Sequence, residues 1–255
     1  MKTKKSPTQT VLYGVHPIQE TLRVGRRRIE EVFISRESAV GDLSDRLSAV
    51  DIPITRISSN ELTSIAGSPH HQGLAAKVGP YSYFDFDDLL AIAADSGAMI
   101  LVLDEIQDPA NLGSILRSCE CLGAAGVVLT KDRAVPVTPA VEKAAAGASA
   151  HVRVARVVNL VRAIEKLKAS GFWVFAADTK AAVDVFSVDL SGKIAVVLGS
   201  EGKGIRRLVR ESSDQTISIP MTGKIDSLNV SQTAVVILSE SLRQRIEKGR
   251  DRPVQ

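Results

Sequence analysis

The chain is poor in cysteine and has no long apolar run. Its two cysteines, Cys119 and Cys121, would point to different faces of a helix, so we interpret them as core filling rather than as a redox pair or metal ligands. The longest apolar stretches, such as Met99 to Leu103, are far shorter than the roughly 20 residues of a membrane-spanning helix. No apolar segment that could form the core of a secretory signal follows the basic N-terminus. We therefore expect a cytoplasmic protein with no metal site and no membrane partner.

Two common nucleotide-binding motifs are also missing. Neither the G-x-G-x-x-G fingerprint nor the G-K-[ST] sequence of a P-loop occurs, which argues against an NAD-dependent dehydrogenase. The net charge is only +3, but the first 28 residues carry seven basic side chains against Glu20 alone. A basic arm and an R-R-R cluster would attract a polyphosphate, although a solvated surface explains them equally well.

The N-terminal part has the pattern of a small domain. Residues 11–79 alternate helix-like and strand-like pieces, with Pro17 suited to a first helical turn. We predict a basic disordered arm at residues 1–10, a small α/β domain at 11–79 and, after Gly79 and Pro80, a linker at 80–97. Four aromatic residues crowd into this linker and either stack on unpaired bases or, more ordinarily, pack against a neighbouring domain: Tyr81, Tyr83, Phe84 and Phe86.

The pattern resumes at residue 98 and predicts a second domain over residues 98–250. Apolar strands without alternation, separated by helices, indicate a mostly parallel sheet covered on both faces. The last helix is predicted at about Val230 to Glu247, with four apolar residues along one side: Val235, Leu238, Leu242 and Ile246.

Three segments of this second domain contain residues that a fold alone would not need. They are D-P-A-N-L-G-S-I-L-R (Asp108 to Arg117), V-L-G-S-E-G-K-G (Val197 to Gly204) and I-P-M-T-G-K-I-D-S-L-N-V-S (Ile219 to Ser231). Each joins a strand-like run to a helix-like one. All three are therefore expected at the carboxyl ends of parallel strands, where α/β proteins bind ligands.

The residue types within these segments suggest both structural and functional roles. Asn111 is placed to cap the helix that follows, and Gly113 leaves room beside Arg117 for a ligand or a close backbone. The glycines around Glu201 let the backbone approach a ligand. Ser227 or Asn229 can cap the last helix, but capping does not explain both.

Together, N-x-G-x-x-x-R, L-G-x-E-G-x-G and I-P-M with S-L-N-V-S resemble the motifs of the SpoU (TrmH-like) branch of the SPOUT RNA methyltransferases. The N-terminal unit, with Y-G-V-H-P-I-Q-E and H-Q-G-L-A-A, is similar to the small RNA-binding domain of the branch that contains the bacterial 23S rRNA guanosine 2′-O-methyltransferase. The resemblance implies a C-terminal trefoil knot, S-adenosylmethionine as cofactor, and a homodimer with the site near its interface. General topology rules argue against knots, so only the resemblance implies one.

Residue by residue, the resemblance implies cofactor contacts at Gly199, Ile219 and Leu228, with Leu198 and Met221 as neighbours. It implies a catalytic set of Asn111, Arg117, Glu201, Ser227 and Asn229.

The implied reaction is methyl transfer to a ribose 2′-oxygen, which makes RNA rather than DNA the partner. Arg117 resists deprotonation, so we expect it to bind a phosphate and stabilise charge on the 2′-oxygen, held in place by Asn111 and Glu201. The expected substrate is a guanosine in 23S rRNA. Two alternatives remain open at this point, a tRNA ribose 2′-O-methyltransferase and a non-catalytic RNA-binding protein of the same fold.

Overall fold

The structure of the protein is a computed structural model that describes residues 10–36, Leu47 and residues 51–249. The predicted arm lies outside these residues except for Thr10, which begins the first strand. The chain divides into two compact units. The first contains the described residues up to Ser82 together with Val137–His151, and the second contains Tyr83–Pro136 and the chain from Val152.

The first unit is built on a four-stranded sheet in the order β1-β4-β2-β3, in which β2 and β3 are parallel and the other pairs antiparallel. Leu12, Ile18, Val32 and Leu74 are fully buried in its core. The elements are β1 (Thr10–Tyr13), α1 (Val15–Val24), β2 (Ile29–Ile34), β3 (Ile54–Arg56), α2 (Ser59–Ala66) and β4 (Leu74–Val78).

The second unit alternates strands and helices, as the sequence predicts. In chain order the next elements are α3 (Phe86–Ser96), β5 (Ile100–Asp104), α4 (Pro109–Cys121), β6 (Gly126–Thr130), α5 (Pro139–Ala144, in the first unit), β7 (Val154–Val157), α6 (Leu160–Ala169), β8 (Trp173–Ala177), β9 (Ile194–Gly199), α7 (Arg207–Ser212), β10 (Gln215–Ile217) and α8 (Val230–Glu247). None of the described helices is long and apolar enough to cross a membrane.

Six strands of the second unit form one sheet in the order β10-β8-β9-β5-β6-β7, and every neighbouring pair is parallel. Helices α3, α6 and α7 contribute to a core cluster with Ile100, Val102 and Val197. The alternate side chains, including Leu101 and Leu198, are also fully buried, so helices cover the opposite face as well, where α4 and α8 pack on each other and on the sheet. The predicted α/β class with a mostly parallel sheet is confirmed, whereas the trefoil knot stays a prediction.

The direction of the chain through the sheet reverses between β5 and β9. The chain leaves β5 for β6 on one side and leaves β9 for β10 on the other, although β5 and β9 are neighbours with Asp104 opposite Gly199. Ligands of open α/β sheets bind at such reversals, outside the carboxyl ends of the strands. Two of the three sequence segments begin here.

Residues 80–97 form more than the predicted linker, because they contain α3. The Asp85 carboxylate caps this helix by accepting the Asp87 N–H (2.8 Å), and Gly97 ends it in the left-handed conformation. Tyr83, one of the linker aromatics, has a packing contact within the second unit, because the Arg156 guanidinium lies 5.1 Å from its ring centre. The choice between packing and stacking on unpaired bases stays open for the linker aromatics.

Residues 137–151, which the sequence assigns to the second domain, pack within the first unit. Nη1 of Arg27 lies 2.8 Å from each carboxylate oxygen of Glu142, and Nε of Arg27 donates to the carbonyl of Gly79 (2.5 Å). Both members of the ion pair are buried. Burial raises the pKa of Glu142, and Arg27 opposes that shift. Arg27 is therefore not free to attract a polyphosphate as the R-R-R cluster suggested.

Helix α8 has the predicted bounds but not the predicted buried face. Val235 and Ile246 are exposed, and of the four apolar residues only Leu238 is fully buried. The buried face instead combines Ala234, Ile237 and Leu238 with polar side chains. The polar side chains are buried because they bind backbone groups: Gln244 accepts the Leu190 N–H (2.7 Å), and Arg245 donates to the carbonyl at the end of α4 (3.0 Å). Cys121 is likewise exposed, so only Cys119 is a core residue; burial raises the pKa of its thiol.

Candidate active site

The segment after β9 is a tight turn that folds back over its own start. The Gly204 N–H donates to the Ser200 carbonyl (2.8 Å), and Gly202 and Gly204 have positive φ angles of 79° and 65°. A Cβ on Gly199 would lie 2.1 Å from the carbonyl carbon of Gly204 and 2.3 Å from the Ile205 nitrogen. Position 199 thus requires glycine because the chain's own backbone passes too close for a side chain. The sequence alone explains the glycines of this turn by the approach of a ligand, and the backbone contact is the stronger reason.

Three predicted catalytic residues from the three segments meet at this turn. Nδ2 of Asn111 donates to Oε1 of Glu201 (2.9 Å), and Nδ2 of Asn229 donates to Oδ1 of Asn111 (2.9 Å). Asn229 also donates to the same Glu201 oxygen. The second carboxylate oxygen of Glu201 makes no hydrogen bond with the described residues, and the side chain is exposed. It is therefore available to accept a hydrogen bond from a ligand.

Only one of these two asparagines is a helix cap. Asp108 caps α4 by accepting the N–H groups of Ala110 and Asn111, so the predicted capping role of Asn111 is wrong. Pro109 occupies the first helical position, which places Asn111 inside the first turn with its side chain turned towards Glu201. Asn229 does cap α8, accepting the Ser231 N–H at 2.8 Å. Its amide group serves the cluster at the same time.

A cavity of about 610 Å³ lies beside this cluster, within the usual range for small-molecule sites. It is bounded by the ends of β8, β9 and β10 and by the loop before α8. All five residues predicted to contact a cofactor line it: Leu198, Gly199, Ile219, Met221 and Leu228. Glu201, Ser227 and Asn229 line it too, whereas Asn111 contacts it through its hydrogen bonds to Glu201 and Asn229.

Charged side chains that the sequence did not single out also line the cavity. Asp178, just after β8, binds Nη1 of Arg210 (2.9 Å) and accepts the Lys180 N–H (2.9 Å). The Lys180 N–H, and to a smaller extent Arg210, lower the pKa of Asp178, so it is an ionised wall residue. Among the described residues, no group of three or more His, Cys, Asp or Glu side chains is arranged to hold a metal ion.

Arg117 is not part of the cluster. Its side chain is exposed and has no hydrogen bond or ion pair with the described residues. It lies six positions beyond Asn111 on α4, which turns it away from the helix face that carries Asn111. In the single chain Asn111 and Glu201 bind each other and Asn229, and the expectation that they hold Arg117 stays a prediction.

Sequence reasoning missed an ion pair behind the turn, whose carboxylate is buried. Asp104, at the end of β5, is fully buried and accepts the backbone N–H of Arg206 (2.9 Å) and its Nε–H (2.8 Å). The local signal for this pair was an acidic residue, Asp104, shortly before the D-P-A-N segment. Its basic partner lies 102 positions later and could not be paired with it from spacing.

Comparison with known proteins identifies the family. Residues 98–239 match the model of the SpoU rRNA methylase family, and residues 11–84 match the model for RNA 2′-O ribose methyltransferase substrate binding. The chain belongs to the SpoU methyltransferase family. This confirms the resemblance drawn from the three motifs, and the two matched regions together cover both halves of the chain.

Two relatives match this SpoU chain over nearly its whole length, and a third matches about two thirds of it. A protein of Staphylococcus aureus named as a TrmH family tRNA/rRNA methyltransferase is 36% identical over 245 residues, covering 94% of this chain and 98% of the relative. The SpoU methyltransferase AviRb of Streptomyces viridochromogenes, solved with the cofactor AdoMet, is 26% identical with a TM-score of 0.79, covering 93% of this chain and 91% of that one. The TrmH/SpoU tRNA modifying enzyme of A. aeolicus has a TM-score of 0.55 and 26% identity, covering 65% of this chain and 86% of that enzyme.

Proposed function

We propose that the protein is an S-adenosylmethionine-dependent RNA 2′-O-methyltransferase whose substrate is a guanosine ribose in 23S rRNA. The observation that carries the proposal is the cluster of Asn111, Glu201 and Asn229 on the rim of a cavity lined by every predicted cofactor residue. The three residues come from three separate segments of a SpoU methylase domain, and a folding role alone does not account for their convergence.

The lining of the cavity fits S-adenosylmethionine. Leu198, Ile219, Met221 and Leu228 supply apolar surface for an adenine, and the turn from Gly199 offers backbone groups. Charged residues near the opening, including Asp178 and Lys180, suit an amino-acid tail. When bound, the cofactor supplies an electrophilic methyl group, and the chain's own residues must position the acceptor oxygen.

Within this proposal Glu201 accepts a hydrogen bond from the ribose through its free carboxylate oxygen. Asn111 and Asn229 hold the other oxygen, so the carboxylate cannot rotate away. Arg117 binds the adjoining phosphate and stabilises the negative charge that develops on the 2′-oxygen during methyl transfer. Because Arg117 is exposed and unpaired in the single chain, it is available to RNA.

We further propose a homodimer and the C-terminal knot. Apolar residues on the outer side of α8, Val235 and Ile246, are exposed, as a helix that contacts a second copy would have them. The knot follows from family membership, and the return of the chain from the edge strand β10 to α8, which contacts α4 and β9, is compatible with it.

The choice of rRNA rests on the N-terminal unit. Residues 11–84 match a substrate-binding domain, and the relative whose name specifies only tRNA covers 65% of this chain. A tRNA ribose methyltransferase is the second candidate, since the Staphylococcus aureus relative is named for both RNAs. A non-catalytic RNA-binding protein is the third, and the intact Asn111, Glu201 and Asn229 cluster argues against it.

Nucleoside mass spectrometry distinguishes these candidates. Separate 23S rRNA and tRNA fractions from cells lacking the protein are compared with fractions from cells complemented by the wild type or by Arg117→Ala. Loss of 2′-O-methylguanosine from 23S rRNA, restored by the wild type alone, supports the proposal. Loss from tRNA selects the second candidate, and unchanged methylation of both fractions selects the third.

A further inference from the structure

The turn that carries Glu201 is anchored at both ends. At its start Glu201 contacts Asn111 and Asn229, and at its end Arg206 contacts Asp104. Asp104 and Asn111 belong to one continuous segment, the end of β5 and the start of α4. The contacts therefore close a ring that runs from Asp104 to Asn111, across to Glu201, along the turn to Arg206 and back to Asp104.

The anchor at Arg206 is geometrically specific. One carboxylate oxygen of Asp104 accepts the Nε–H (2.8 Å) and lies 2.7 Å from Nη2, while the other accepts the Arg206 backbone N–H (2.9 Å). A forked guanidinium and a main-chain donor are thus both fixed by one side chain. Nη1 of Arg206 also lies 3.5 Å from Glu105, a residue held at a positive φ of 60°.

Stability alone is a weak reason for this arrangement. The Asp104 side chain is 1% exposed and the Arg206 side chain 42% exposed. Taking a carboxylate out of water is unfavourable, its partner only about offsets that effect, and an apolar replacement of the pair is often as stable. What the pair adds is a defined place for the turn, whose three glycines would otherwise leave its backbone free.

We propose that Asp104 and Arg206 are positioning residues that set the place of Glu201 in the active site. They do not touch the substrate, and their effect on methyl transfer passes through the turn. This inference rests on the proposed function for its catalytic readout. Its structural half concerns only the turn and can be measured without activity.

The test compares two neighbouring arginines, Arg206 just before α7 and Arg207 at its first position. Arg206→Met and Arg207→Met remove the same charge from adjacent positions, but the partner of Arg207 among the described residues is exposed Glu211, one turn along α7. Asp104→Asn is the partner variant, since its amide would face the guanidinium donors. Arg206→Lys keeps the charge without the fork. Steady-state methylation of RNA and amide hydrogen exchange of the turn are measured for each variant.

We expect Arg206→Met and Asp104→Asn to lower kcat by about tenfold or more, with KM for RNA within about threefold, as loss of positioning predicts. Arg206→Lys should be intermediate and Arg207→Met close to wild type. Exchange of the Gly204 N–H should accelerate in the first two variants only. In a Glu201→Gln background the Asp104→Asn effect should largely vanish, because both changes act on one group.

Three results would overturn the inference. The first is amide hydrogen exchange in the turn that is unchanged by Asp104→Asn. The second is an equal loss of kcat in the Arg206→Met and Arg207→Met variants. The third is a double variant in which the effects of Asp104→Asn and Glu201→Gln on kcat multiply fully. An inactive wild type would instead contradict the proposed function, and the hydrogen-exchange comparison would still decide whether Asp104 positions the turn.

Discussion

Asn229 donates a hydrogen bond from its side-chain Nδ2 to Oδ1 of Asn111 at 2.9 Å, although 118 residues separate them. Its own Oδ1 meanwhile caps α8 through the Ser231 N–H. One side chain therefore begins the last helix and completes the cluster with Asn111 and Glu201. The two roles use different atoms, so substitution can separate them.

Replacing Asn229 by serine should keep the cap and remove the cluster contact. Serine is a good N-cap, so the melting temperature should change little, but the amide donors to Asn111 and Glu201 are gone. We expect methyl transfer to fall at least about tenfold, the scale of a lost positioning contact. Thermal unfolding and steady-state kinetics on one preparation check both halves. A variant that is destabilised but fully active would show that capping is the only role.

Gly199→Ala should disrupt the turn itself. The added Cβ would fall 2.1 to 2.4 Å from the Gly204–Ile205 peptide, which cannot yield without moving the turn. We expect loss of S-adenosylmethionine binding by calorimetry with retained secondary structure by circular dichroism. Gly192→Ala is the matched control, because nothing lies within 4 Å of its Cβ. Wild-type affinity in Gly199→Ala would contradict the placement of the cofactor.

The three motifs could be read from the sequence because strand ends, glycine turns and prolines are local signals. The contacts between them could not be predicted. Asn111, Glu201 and Asn229 are far apart in the sequence, and the order of the strands in the sheet brings them together. The buried face of α8 was misread for a different reason. Apolar spacing selected Val235 and Ile246, whereas the buried side combines Ile237 and Leu238 with polar residues such as Gln244, whose partners are backbone groups in the 188–191 loop. Likewise, no local signal assigns residues 137–151 to the first unit.

The first unit should depend on the Arg27–Glu142 pair. Arg27→Met leaves the Glu142 carboxylate buried without a partner, which costs about 3–5 kcal/mol in comparable pairs. Arg28→Met is the control, because it removes the same charge from an exposed side chain. Urea unfolding of both variants measures the difference. Equal stability of the two variants would mean that the ion pair does not hold residues 137–151 in this unit.

The C-terminal helix should make stability sensitive to acid. The Arg243 guanidinium, with a smaller contribution from Gln244, lowers the pKa of Glu240, whose side chain is nearly buried. A carboxyl with a lowered folded-state pKa contributes stability above its unfolded value, about 4.3, and loses it as the pH falls through the folded value. Glu240→Gln should therefore be less stable than the wild type at pH 7, with the difference shrinking below about pH 4. Thermal unfolding across pH 3–7 tests this. A stability difference between the two proteins that grows on acidification would contradict the prediction.

Arg117→Ala should abolish catalysis while leaving the folded chain unchanged. The side chain is exposed and has no partner among the described residues, so its removal takes away no intramolecular contact, and it does not line the cavity. We expect S-adenosylmethionine affinity within about threefold of wild type and kcat lowered by about 100-fold or more, as for a lost donor to a developing oxyanion. Arg117→Lys should recover little, because lysine has no planar fork for phosphate and ribose oxygens. Arg162→Ala, which removes an exposed arginine from α6, controls for net charge. If Arg117→Ala and Arg162→Ala methylated RNA equally well, Arg117 would have no place in the mechanism, and the transfer would depend on the Asn111, Glu201 and Asn229 cluster instead.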